Sequence, residues 1–312
     1  MSDLVLFCGL GGATEGLVRA GWDIGMCVDA WDRACEAHRR WHPELEVLMS
    51  GVEGVDAGDV RRVWASPSCK PWSCANRSAK RGKAHPEYYS LARLVRQVFG
   101  AWRGRWLVVE NVGGLLWSRE GREEMDELRA EVKRWPGLRL SQPKGSGVIG
   151  SNSLGVAQLR RRVFLVIGPG YVSLRPGGVD LPREGTGRQL WETDDYRERS
   201  RAGVVDASAP SRHQNWTRAG ATVARTENQH ARTQRAVEAG EHLGQAKTRD
   251  GHRQERGGTG RSLAECCALQ MVPEWVVEGF TKRVAHELVG NAVPPPVAEH
   301  IGRLVLEADE VA

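Results

Sequence analysis

The chain has 312 residues, 40% hydrophobic and 27% charged, with a formal net charge of +5. That length supports one large domain with a smaller companion, and a charged fraction this high excludes a chain built mainly for the membrane interior. The mild basic excess, with an isoelectric point near 8.9, suits a polyanionic partner without demanding one.

Residues 4–8 (LVLFC) form a short apolar run closed by Gly9, which predicts a buried first strand. A glycine-rich turn follows, then a helical pattern over residues 14–20. A second strand is expected over 24–28, ending at Asp29, and a strand-like RVWA over 62–65. Further buried strands are predicted at 107–109 (LVV) and 163–167 (VFLVI). Strands alternating with helical segments predict an α/β fold with a parallel, doubly wound sheet and chemistry at its strand ends. After about Gly168 the composition changes. Residues 171–260 are rich in Arg, Gly, Gln, Thr and Asp and poor in aliphatic residues, with one helix plausible over 226–242. Apolar patterning resumes at Leu263, and the chain closes with an amphipathic helix after a proline break. The expected organisation is therefore one domain made of 1–170 and 261–312, interrupted by a small module at 171–260.

Seven scattered cysteines form no pair of CxxC units, so no metal site is expected and a reducing cytoplasm fits best. The first residues lack a basic stretch ahead of an apolar run, and no segment reaches the roughly 18 apolar residues of a membrane span.

Several residues can carry chemistry. In the segment FCGLGG, residues 7–12, glycines between a strand and a helix let backbone N–H groups approach a ligand. Asp29, 20 residues after Gly9, sits where an acid can bind ribose hydroxyls. A tight structural turn would read the same way. In SPSCKPWS, residues 66–73, Cys69 is held between prolines and polar residues. It is either a small buried hydrophobe or a nucleophile, and the second requires a setting that favours thiolate. Glu110, in ENV at 110–112, is a carboxylate at the end of a buried strand or a capping acid. In QLRRR, 158–162, alternating basic side chains lie on one face of a strand. GNAVP, 290–294, is a turn near the C-terminus.

These five motifs, in this order, resemble those of bacterial and phage DNA cytosine-5 methyltransferases. The resemblance covers residues 4–168 and 261–308, with RSLAE at 261–265 and Thr222-Val223 as further points of similarity. It implies a Rossmann-like methyltransferase domain using S-adenosylmethionine and releasing S-adenosylhomocysteine, in a bacterial or phage-infected cell. Cys69 would attack C6 of a flipped cytosine and turn C5 into a nucleophile. Glu110 would serve N3 and the N4 amine, which asks for a carboxyl kept protonated by burial. Arg162 and Arg160 would hold the base carbonyl or a flanking phosphate. Phe7, Gly9, Gly11, Gly12, Asp29, Pro67, Asn291 and Val293 would line the donor site. Ser73, Lys80, Arg81, Lys83, Gln158 and Thr222 would contact duplex DNA, and the module at 171–260 would read its sequence as a target recognition domain. A monomer is expected. The recognition sequence and any companion restriction endonuclease are not written in these motifs.

Two positions depart from the family pattern. Ser68 stands where a proline usually precedes the nucleophile, and the stretch 49–52 lacks the usual aspartate for the adenine amine, leaving Asp56 as a substitute. The rival readings are a catalytically silent DNA-binding homologue, a same-fold tRNA methyltransferase and a nicotinamide-dependent oxidoreductase. The joint presence of Cys69, Glu110, Arg162 and Asn291 argues against the first, the arginine-rich insert against the second, and the four motifs beyond the glycine loop against the third. A carboxylated donor would want a cation near its transferred group, where Asn291 is neutral.

Overall fold

Eight strands form one sheet: β1 (Asp3–Leu6), β2 (Ile24–Asp29), β3 (Val47–Met49), β4 (Arg62–Ala65), β5 (Trp106–Val112), β6 (Arg139–Ser141), β7 (Ile149–Gly150) and β8 (Arg161–Gly168). The structure, a computed structural model, describes residues 1–73, 80–143, 147–156, 158, 160–175 and 262–312. The strand order is β3-β2-β1-β4-β5-β8-β6, with β7 pairing on β8. Every residue of β1 and β4 is buried. Strands covered on both faces read as unbroken apolar runs, which is why the sequence exposes the central ones so clearly.

Helices cover both faces, as expected of a doubly wound fold. On one side α1 (Gly12–Ala20) and the C-terminal helix pack over Val5, Trp64, Val108 and Phe164. On the other, α3 (Leu91–Arg96) and α5 (Arg119–Lys133) lie against Leu4, Leu6, Val63 and Leu107. Between them in sequence come α2 (Asp32–Trp41) and the short α4 (Gly114–Trp117). Beyond the composition break, α6 (Leu263–Gln270), α7 (Lys282–Asn291) and α8 (Pro295–Val311) complete the body. Local signals set their starts. Ser262 and Glu265 form a reciprocal capping box at α6, Thr281 caps α7, and α8 begins on prolines whose missing N–H groups cost nothing there.

Three expectations change. The first strand stops at Leu6 rather than residue 8, because Phe7 takes a left-handed φ of 52° that no strand tolerates. The sheet is mixed rather than parallel. β8 runs antiparallel to both β5 and β6 and lies between them, and the residues joining β6 to β8 supply β7 and a short 3-10 turn instead of a crossover helix. The main chain also stays with this body past residue 170, since Val172 and Leu174 are buried in its core. The helix predicted over 226–242 and the pair Thr222-Val223 lie outside the described residues.

At its far end α8 is tied to the sheet by one carboxylate. Asp309 accepts from Trp106 Nε1 (2.9 Å), Arg105 Nε (2.7 Å) and Arg61 Nε (3.1 Å). Burial raises its pKa, but these hydrogen bonds and the nearby arginines outweigh it and hold the group below its usual 3.8. A depressed folded pKa means stability that is present above the unfolded value and lost as pH falls through the folded one. Asp309→Asn should therefore cost roughly 1.5–3 kcal/mol at neutral pH, the range for hydrogen bonds to a charged group. Melting curves should also show wild type losing more stability than the variant between about pH 5 and 3. Equal losses would mean that Asp309 is not the group titrating.

Candidate active site

The sheet order turns back at β1, whose neighbours are β2 and β4. In such sheets a crevice opens at the carboxyl ends of the strands beside that reversal. The topology therefore delivers the glycine loop after β1, Asp29 at the end of β2, residues 66–73 after β4, and Glu110 and Asn111 at the end of β5 to one edge.

The glycines of the loop differ in what they require. Gly9, at φ 56°, has nothing within 4 Å of where a Cβ would stand, so it borders open space. A Cβ on Gly11 would press on His42 Cδ2 at 2.9 Å and one on Gly12 on the Val293 carbonyl at 2.3 Å, so these two serve close packing. The Asp29 carboxylate takes the Gly9 N–H (2.9 Å) and the Trp31 N–H (2.8 Å) and thereby shapes the loop. Beneath it, His38 Nδ1 donates to the Gly9 carbonyl (3.2 Å) and His42 Nε2 to that of Gly11 (3.3 Å). Burial is the main force keeping both rings neutral, lowering His38 to about 3. Sequence reading passed over this pair, although its i, i+4 spacing was the available signal. Phe7, strained and edge-on to Tyr89 at 5.3 Å, closes the loop's near side.

Cys69 lies partly exposed in the turn after β4. Its carbonyl accepts from the N–H groups of Trp72 and Ser73, and the buried Trp72 ring meets Tyr88 edge-on. A Cβ on Gly114 would meet the Trp72 carbonyl at 2.0 Å, so the second glycine after the ENV segment lets that turn lie close. Asn111 Nδ2 donates to the buried Pro67 carbonyl (3.0 Å), tying the end of β5 to the nucleophile turn. Asn111 was quoted within its motif, but this role shows only in the fold. Ser68 Oγ donates to Glu87 (2.6 Å) and Lys70 Nζ to the other oxygen of the same carboxylate (2.7 Å). Partial burial raises the Glu87 pKa, yet these two donors bring it below its usual value.

Three charged groups surround the thiol. Arg162 Nε stands 2.9 Å from Glu110 Oε1, an ion pair nearly out of solvent. The N–H is not aimed at that oxygen, which has no hydrogen-bond partner. Arg160 is buried; its Nη1 donates to the Gly290 carbonyl (3.0 Å) and its Nε has no partner. Burial, and then Arg162, lower it to about 9, so it remains a cation at neutral pH. Burial pushes the Cys69 thiol up; Arg162 and Arg160 draw it back, Glu110 opposes them, and the net shift is upward.

The other expected residues are more dispersed. Asn291 is the exposed last residue of α7, and Val293 is buried with its carbonyl against Gly12. Gln158, expected at DNA, is buried and donates to the Leu269 carbonyl (2.7 Å) and Gln270 Oε1 (2.8 Å), which joins it to α6. The Ser73 carbonyl accepts from Arg81, Lys80 is exposed, and exposed Lys83 pairs with Glu127. Asp56, the possible substitute acid, is exposed and accepts the Gly58 N–H within its own turn. Among the described residues no three His, Cys, Asp or Glu side chains group as metal ligands, and no helix is long and apolar enough to cross a membrane.

Residues 1–169 match the sequence profile of the C-5 cytosine-specific DNA methylases. The chain belongs to that family. Among curated relatives, the type II methyltransferase M.HgiDI of Herpetosiphon aurantiacus is 27% identical over 173 residues, covering 53% of this chain and 52% of that one. M1.HphI of Haemophilus parahaemolyticus is 25% identical over 170 residues, covering 52% and 44%. The matched part thus spans about half the length of these relatives. A mutant of Spodoptera frugiperda DNMT2 shares the fold at a TM-score of 0.60 and 15% identity, covering 98% of this chain and 100% of that one. Schizosaccharomyces pombe Dnmt2 does so at 0.53 and 18%, covering 99% of each. Both of these likenesses extend over nearly the whole chain, whereas the sequence profile ends one residue after β8.

Proposed function

We propose that this methylase-family chain transfers a methyl group from S-adenosylmethionine to C5 of a cytosine flipped out of duplex DNA, with Cys69 as nucleophile. The observation that carries the reading is one thiol, partly exposed in the turn after β4, electrostatically linked to Arg162, Glu110 and Arg160 at the same edge of the sheet as the glycine loop. The donor fits the residues present. Gly9 borders open space that a ligand could enter, and Asp29 keeps lone pairs for ribose hydroxyls after binding two N–H groups. S-adenosylmethionine would supply an electrophilic methyl group to the carbon that Cys69 activates.

At rest Cys69 is a thiol. Loss of its proton frees a lone pair on Sγ to bond C6, and the C5–C6 π electrons move toward C5. Negative charge spreads over the ring as the bond forms. In this reading Glu110 would take up a proton as the base enters, donate it toward N3 and accept from the N4 amine, while Arg162 would meet the base carbonyl, so that cytosine replaces the present Arg162–Glu110 pairing. Arg160, fastened to Gly290, supplies fixed positive charge from behind. Once C5 carries the methyl group, loss of its proton returns the electron pair to the ring and expels Cys69 as thiolate.

Sequence choice would fall to the inserted segment, whose Arg, Asn and Gln side chains suit base edges. Lys80, Arg81 and Lys83 would supply phosphate contacts, so affinity should fall with salt. Bisulfite sequencing of duplex DNA treated with the purified chain and donor should find methylated cytosines in one recurring context. Replacing residues 176–261 with a short Gly/Ser linker should remove that context while donor binding, read by titration calorimetry, persists. Methylation of the same sites by the linker variant would move recognition to the basic segment around Arg81, and no methylation by wild type would overturn the activity.

A further inference from the structure

The residues on either side of Cys69 are held by a single carboxylate. Ser68 Oγ donates to Glu87 Oε2 and Lys70 Nζ to Glu87 Oε1. The Lys70 N–H also reaches Ser68 Oγ (3.4 Å), and Lys70 Nζ lies 3.7 Å from Glu287 on α7. Glu87 is itself tied to its neighbours. Its N–H donates to the ring of the buried His85 (3.1 Å), and neighbouring Tyr88 donates to the buried Glu124 (2.7 Å) while its ring packs on Trp72. Glu124 in turn accepts the first N–H of α3 (2.6 Å).

We propose that Glu87 is a positioning residue for the nucleophile, gripping Ser68 and Lys70 so that the chain between them holds Cys69 Sγ toward the base. The proposal rests on Cys69 acting as described above. Ser68 has no ring to restrict its backbone, so this turn needs an outside hold. Lys70 and Glu87 are both about half exposed, so the pair adds little to global stability. Its value lies in geometry, because a displacement of about 1 Å at a reacting atom can cost on the order of 100-fold in rate.

Ser68→Ala, Glu87→Ala and the double variant test this by single-turnover transfer at saturating donor and DNA, alongside donor affinity and melting temperature. Each single variant should slow transfer by roughly 10-fold or more, with donor Kd and melting temperature near wild type. The double variant should be no slower than the slower single one, because both remove the same hold. Ser68→Thr, which keeps a hydroxyl, should recover most of the rate. Wild-type rates in both single variants, losses that multiply in the double, or a loss confined to the KM for DNA would each overturn the proposal. Cys69→Ala run in parallel separates the two readings: if it still transfers methyl groups, the nucleophile assignment fails and the positioning role with it.

Discussion

Cys69→Ala should abolish methyl transfer, by more than about 10⁴-fold, the scale seen when a covalent nucleophile is removed. No neighbouring group can replace the lost bond. Arg162 and Arg160 are cations, and Glu110 sits in an ion pair with Arg162. The fold should survive, with a change within about 1 kcal/mol, because the side chain is partly exposed and only one sulfur is lost. Duplexes carrying 5-fluorocytosine should trap a covalent adduct with wild type, since fluorine cannot leave as a proton does, and none with the variant. An adduct that persists in Cys69→Ala would place the nucleophile elsewhere. Because burial and Glu110 together keep the thiol protonated beyond its ordinary range, the wild-type rate should go on rising above about pH 8.5, where a free cysteine would level off.

Gly12→Ala and Gly9→Ala should fail in opposite ways. At Gly12 the new methyl carbon would lie 2.3 Å from the Val293 carbonyl, a backbone atom that cannot turn aside. The start of α1 and the segment entering α8 would have to separate, costing roughly 3 kcal/mol and lowering the melting temperature by about 6–12 °C. At Gly9 the methyl group meets nothing, so the stability cost is about that of one left-handed residue, roughly 1–2 kcal/mol. It would instead occupy the space assigned to the donor and weaken S-adenosylmethionine binding by at least about 10-fold. Differential scanning calorimetry and titration calorimetry separate the two effects. A Gly9→Ala protein that binds the donor normally would show that the open space is not the donor site.

Much of the fold is legible along the chain because the central strands are short apolar runs closed by turn residues. Residues 4–6, 62–65, 107–109 and 163–167 all fall on observed strands. β3, β6 and β7 have two or three residues each and no such contrast, and α2 buries Ala34, Cys35, Ala37 and His38 where an apolar stripe would be sought. The reversed direction of β8 was hidden as well, since an apolar pattern is the same read either way.

The candidate site divides along the same line. Cys69, Glu110 and Arg162 stand at or beside strand ends, and order along the chain is enough to nominate them. Only the folded chain decides which polar groups already have partners. Asp29 holds Gly9 across 20 residues, Ser68 holds Glu87 across 19, Gln158 holds Leu269 across 111 and Arg160 holds Gly290 across 130. A hydrogen bond acts over about 3 Å, so pairs this far apart in sequence carry no local signature. They exist only once β1, β2, β4, β5 and β8 have come into register and brought their ends to one edge of the sheet.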